Sequence, residues 1–182
     1  MNRPPQPDPS RLVPFAGHPG VVGLVPGLSD LVPLTAVAWA QATGAALYFA
    51  YVDPLRYTIA EHPDGTVQHA DIDPDVANDW RQRAADLEAY LHGLVDPSGV
   101  PWHFRYLAGR PDRALTHLAR AVDAAVFVVG TGTPGLRAGL RRLVAVSSGA
   151  GARSLATHLS HHQHRPVLVV PLRVVDWKDQ IE

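Results

Sequence analysis

Residues 124–170 limit the possible folds more than any other stretch of the chain. VFVVG at 126–130 has no polar side chain before its glycine, the composition of a strand covered on both faces. Gly-Thr-Gly-Thr-Pro-Gly follows at 130–135, then a basic and apolar segment, then a helical-period stretch around Ser154–Leu159. PVLVV at 166–170 closes the unit as a second buried strand. Two such strands joined through a loop and a helix predict a parallel pair with a right-handed crossover. A strand running into a glycine loop and then a helix N-terminus is also where an α/β protein presents backbone N–H groups to an anion. Gly130, Thr131, Gly132 and Gly135 are therefore the first candidates for a binding loop.

The rest of the chain repeats the alternation of strand and helix. Residues 1–19 are proline-rich and polar and predict a flexible arm. Gly20–Val25 (GVVGLV) predicts the first strand, turning through Pro26, Gly27 and Leu28. Ser29 or Asp30 is the expected cap of a helix ending at Gly44, with Leu34, Val37, Ala38 and Trp39 on its covered face. Ala46–Val52 is the second strand. Residues 57–62 and 66–72 alternate on either side of Pro63-Asp64-Gly65, which predicts a β-hairpin projecting from the sheet. Pro74 is expected at the start of the next helix, with Val76, Trp80, Ala84, Leu87, Leu91 and Leu94 along one face. Pro101–Leu107 is the third parallel strand, and residues after Gly109 enter a helix burying Leu115, Leu118, Ala119 and Val122. The expectation is one α/β domain, a three-layer sandwich on a parallel sheet, over residues 20–171, with a tail at 172–182. Ligands of such sheets sit beyond the carboxyl ends of the strands where strand order reverses; the ends here are Pro26–Ser29, Val52–Pro54, Gly109–Pro111 and Gly130–Gly135, and Val25, Pro26, Gly27 and Val52 join the candidates.

Composition removes several classes of function. The 182 residues contain no cysteine, which excludes thiol catalysis, disulfides and cysteine-ligated metals. The net charge of −1 supplies no general field for nucleic acid, and none is expected as a partner. No apolar run approaches the ~18 residues of a membrane span. Proline at the N-terminus, where a signal peptide has its apolar core, predicts a cytoplasmic protein. The glycine loop lacks the Lys-[ST] of a Walker loop, and no G-x-S-x-G turn presents a serine nucleophile, so no catalytic residue is nominated. His158 and His162 share a helical face, but no carboxylate lies nearby in sequence to complete a metal site, and none is expected.

Over residues 20–171 the chain resembles the universal stress protein (UspA-like) family. The resemblance rests on GVVGLVPG, AVAWAQATGAALYFAYV, VPWHFRYLAGRPDRALTHLARAVDAAVFVVG and HHQHRPVLVVP, in that order and spacing. It implies a five-stranded parallel sheet of order 3-2-1-4-5 and a homodimer paired through the fifth strands, here Val167, Leu168, Val169 and Val170. Members divide into ATP binders and proteins that bind no nucleotide. Binders have an acidic residue after the first strand and a G-x2-G-x9-G-[ST] loop after the fourth.

This chain departs from the binders' pattern at defined points. Pro26 stands where the acidic residue is expected. Gly130 ends the fourth strand, but the next motif glycine aligns with Thr133, unless Gly132 and Gly135 supply the pair out of register. Counted back from Pro166, the Gly-Ser falls on Arg153 and Ser154; Gly149-Ala150 is the other candidate. Arg137, Arg141, Arg142 and Arg153 crowd the same segment, and arginine replaces part of a glycine nest by forked hydrogen bonding to phosphate. The leading expectation is a non-enzymatic stress-response protein with a degenerate nucleotide loop, ATP being a candidate ligand rather than an expected one. The alternatives are an ATP-binding switch that slowly hydrolyses ATP or phosphorylates itself, and a pure interaction module binding an unidentified protein partner.

Overall fold

The computed structural model describes residues 8–73, 75, 79–131 and 155–172. Its elements are β1 (Gly20–Leu24), α1 (Leu31–Thr43), β2 (Leu47–Asp53), β3 (Arg56–Glu61), β4 (Val67–Asp71), α2 (Trp80–Val95), β5 (Trp102–Ala108), α3 (Pro111–Ala121), β6 (Val126–Gly130), α4 (Leu155–His162) and β7 (Val167–Val170). Five strands form a parallel sheet in the order β5-β2-β1-β6-β7. This is the expected 3-2-1-4-5 arrangement, and the order reverses between β1 and β6. The arm before residue 8 and the tail after 172 lie outside the described residues.

Successive side chains of the central strands feed two cores, because a strand covered on both faces sends alternate residues each way. Val22, Leu24, Phe49, Tyr51, Val126 and Val128 pack with Val32, Ala36 and Ala40 of α1 and Leu87, Leu91 and Val95 of α2. Val21, Ala50, Val52, Phe127 and Val129 pack with Leu115 and Leu118 of α3 and Leu159 of α4. Phe49 and Phe127 are fully covered, one in each core. Each stabilises the fold by about 1.5–3 kcal/mol relative to an exposed ring.

Two helices differ from expectation. In α1 the covered residues are Val32, Pro33, Ala36, Val37 and Ala40, whereas Leu34 is 45% exposed and Ala38 faces solvent. This helix is apolar nearly all round, so its sequence carries little periodic signal to orient it. Gly44 ends it in the left-handed conformation, as its sequence predicts. The second difference is α2, which begins at Trp80 rather than at Pro74. The Asp73 carboxylate accepts the Asp75 amide in a local turn at 3.1 Å, and Asp79 caps the helix by accepting the Gln82 amide at 3.2 Å.

The hairpin forms where expected, but it does not project from the sheet. It lies back on the edge strand β5 and on α3. Thr58 Oγ1 donates to the Ala108 carbonyl at 3.3 Å, and Arg105 donates to the Asp64 carbonyl at 3.2 Å. Val67 joins the α3-side core. Gly65, at φ 79°, closes the turn against Leu118, where an added Cβ would stand 2.4 Å from Leu118 Cδ1. The turn therefore needs glycine both for its backbone and for its close approach to the helix. Leu55, Tyr57, Ile59 and Ile72 remain exposed.

Candidate functional site at the carboxyl end of the sheet

The strand register places several sequence candidates side by side. Leu24 pairs with Tyr51 and Val22 with Val128, so continuing both ladders sets Val25 between Val52 and Thr131. Val25, Val52, Gly130 and Thr131 therefore converge at the reversal point. Gly132, Gly135, Arg153 and Ser154 lie outside the described residues.

Each described part of this edge has a local cause. Val25 to Leu28 form a tight turn: the Leu28 amide donates to the Val25 carbonyl at 3.1 Å, and Gly27 has φ 71°. Proline followed by a left-handed glycine is the signature of a type II turn, so Pro26 shapes the chain reversal where the resemblance calls for an acid. The first amides of α1 are already engaged. Leu31 N donates to Ser29 Oγ at 3.3 Å, Val32 N donates to the Ser29 carbonyl at 3.2 Å, and Pro33 has no N–H. Asp30 accepts the Tyr90 hydroxyl at 2.7 Å. That bond and burial of the phenol, burial being the larger cause, raise the Tyr90 pKa.

The β6 side is similarly committed. The Thr131 amide donates to the Val170 carbonyl at 2.8 Å, and Thr131 Oγ1 accepts the Leu172 amide at 2.8 Å. A Cβ on Gly130 would meet Leu172 Cδ1 at 2.7 Å and Val32 Cγ2 at 3.2 Å. The glycine here lets Leu172 fold over the strand end. Val52 is buried in the α3-side core, where its side chain is a packing element.

A polar cluster that the sequence did not disclose stands immediately beside this row. Asp53, 1% exposed, ends β2. It accepts the Leu55 amide at 2.9 Å, the Tyr106 hydroxyl at 2.7 Å and Arg83 Nη1 at 3.0 Å. Arg83 Nη1 also donates to the Tyr106 oxygen at 3.0 Å, which closes a triangle. Burial, and then the bond to Asp53, push the Tyr106 pKa up, so the phenol keeps its proton. Under the hairpin the nearly buried Arg56 donates to His69 Nδ1 at 2.7 Å and to Asp71, and its guanidinium lies 5.1 Å from the Trp80 ring centroid. The only sequence signal for this cluster was a carboxylate, Asp53, at the end of an otherwise apolar strand. Its partners come from 30 and 53 residues away.

The described geometry is one of internal support. No described nucleophile is paired with a base at the edge, and among the described residues no three His, Cys, Asp or Glu side chains gather as a metal site requires. Among the described residues no helix is long and apolar enough to cross a membrane.

No protein-family model matches this sequence, and no curated protein does. Solved structures do match. A universal stress protein from Archaeoglobus fulgidus in complex with dAMP aligns over 84% of this chain and 97% of its own, with 15% identity and a TM-score of 0.56. UspA from Lactobacillus plantarum aligns over 85% and 98%, with 18% identity and a TM-score of 0.57. A universal stress protein in complex with cAMP aligns over 86% and 98%, with 22% identity and a TM-score of 0.50. This chain therefore has the UspA-like α/β fold of the universal stress proteins.

Proposed function

We propose that this protein is a cytoplasmic, non-enzymatic stress-response protein of the universal-stress type whose nucleotide site is degenerate. The observation that carries this reading is the commitment of donors at the strand ends. The amides of Leu31, Val32 and Thr131 are spent within the protein, and Pro26 supplies neither a carboxylate nor an N–H. An anion gains little from donors that must first break bonds of their own. Similar structures hold dAMP and cAMP, so adenine nucleotides are the ligands to test. Equilibrium titration with ATP, dAMP and cAMP, with and without magnesium, tests the reading, with Arg153→Ala as the paired variant. The expected result is no tight ATP binding by either protein. Tight magnesium-dependent ATP binding that Arg153→Ala abolishes would overturn it in favour of an ATP-dependent switch.

The protein acts as a homodimer through β7. Both edges of a sheet are open to pairing unless covered. Here the hairpin packs on β5, whereas β7 leaves Leu168 37% and Val169 41% exposed. Residues Val167–Val170 provide the strand for an isologous contact across a two-fold axis. Sedimentation of the wild type and of Val169→Lys tests this. A dimer that becomes a folded monomer supports the interface, and a wild-type monomer at tens of micromolar removes it.

A further inference from the structure

At its rooted end the hairpin meets the domain around one imidazole. His69 of β4 takes a hydrogen bond at Nδ1 from Arg56 Nε of β3, 2.7 Å away. A guanidinium has donors only, so Nδ1 must present its lone pair. The ring is therefore neutral, with its proton on Nε2. The same ring stands edge-on to Trp80 of α2, 4.7 Å between centroids, and 5.5 Å from the Tyr106 ring of β5. His69 thus touches both strands of the hairpin and the two elements on which that end of the hairpin rests.

We propose that His69 is an acid-operated latch: a proton on Nδ1 expels the Arg56 guanidinium and releases this end of the hairpin from α2 and β5. The proton comes from solvent and occupies the lone pair that Arg56 now uses. Two N–H donors, both cationic, then face each other across a hydrogen-bond distance in a half-buried site. Arg56 is 4% exposed, so its guanidinium is shielded from solvent while the hairpin is closed.

The surrounding charges oppose one another. Arg56 of β3 disfavours the protonated ring, while Asp71 of β4 and Asp53 of β2 favour it. Arg83 of α2 and Tyr106 of β5 both engage the Asp53 carboxylate. Arg81 of α2 lies by the Trp80 ring. Burial is the largest influence and Arg56 the next, and together they hold the imidazole below its ordinary value. A lowered histidine stabilises the closed form fully above the free value of about 6.5, and that support is lost as pH falls through the lowered value. The far end of the hairpin is held separately: His117 of α3 lies 3.0 Å from Glu61, and Gly65 packs against Leu118. Acid therefore frees the end rooted at Asp53 and Leu55 while the turn stays docked on α3. That root adjoins Val52 at the cleft, although the latch does not depend on any nucleotide binding there.

Hydrogen exchange of the amides in 56–71 tests the latch, compared at about pH 7.5 and about pH 5.5 after correction for the intrinsic rate. The wild-type hairpin is expected to exchange faster at the lower pH, by up to about tenfold one unit below the free value of about 6.5, with β1 and β6 unchanged. His69→Asn keeps an acceptor near the Nδ1 position and does not titrate, so its hairpin should lose this pH dependence. A flat wild-type profile, or an equal rise in the Asn variant, would overturn the latch. Imidazole nitrogen spectra of the wild type at about pH 7.5 give an independent reading. A neutral Nε2–H ring is expected, and an Nδ1–H or doubly protonated ring also defeats the proposal. That spectrum needs no variant, so it decides the matter even if the substitution disturbs the hairpin.

Discussion

At the ends of β2 and β5, Asp53 is sealed beneath Tyr106 and Arg83, with its carboxylate bonded on three sides. One strand over, at the ends of β1 and β6, no described residue carries a buried charge. The chain turns through Pro26 and Gly27, and Leu172 folds over Gly130. The first region looks more like an active site, with a buried acid, a phenol and an arginine, yet every group in it already serves another. The second region looks inert, yet it is the reversal point at which a sheet of this order takes ligands. Unusual polar chemistry and ligand-binding position are separated here by a single strand. A buried carboxylate needs partners wherever it sits, and those partners mark support of the fold as readily as catalysis.

The comparison breaks first at Asp53. Asp53→Ala removes the carboxylate that Arg83 and Tyr106 share and is expected to cost about 3 kcal/mol in denaturant unfolding. Nucleotide titrations should not change beyond that loss of stability. A stable Asp53→Ala protein with altered nucleotide binding would move the functional site from the β1–β6 row to the β2–β5 cluster. A smaller effect is expected at Gly130. Gly130→Ala drives a Cβ into Leu172, and the measured cost should be about 1–2 kcal/mol. Leu172 has a flexible tip, so the same substitution in a Leu172→Ala background should cost nearly nothing, as a double-mutant cycle would show. No coupling would mean that Leu172 does not close the strand end. Gly27→Ala should have the smallest effect, about 1 kcal/mol from its left-handed backbone alone. Nothing lies within 4 Å of the added carbon. A larger loss there would show that the turn carries contacts beyond its own geometry.

The two regions also differed in how far the sequence revealed them. The β1–β6 row was legible because its signals are local. Pro26-Gly27 marks a turn and VFVVG a buried strand, and the resemblance to the universal stress proteins implies the reversal between them. What the row offers a ligand was not legible, because the donors of Leu31, Val32 and Thr131 are spent on partners that only coordinates reveal. The Asp53 cluster left almost no trace, since Arg83 and Tyr106 reach it from α2 and β5. The hairpin was visible in Pro63-Asp64-Gly65, but its docking depends on the space beside Leu118, to which the alternating pattern of residues 57–72 is blind. The α1 face was misplaced for a related reason: Leu34 and Ala36 are both apolar, and only the sheet beneath them decides which is covered.

Local chemistry in the sequence determined the strands, the turns and the hairpin, because periodicity and turn residues act over a few positions, while the order of the strands came from the resemblance. Tertiary structure alone decided that the hairpin packs on β5 and that Asp53 is satisfied from within. It alone placed Arg56 against the lone pair of His69. Each of these depends on groups distant in the chain meeting within hydrogen-bond or van der Waals reach, and short-range sequence pattern does not encode such distances.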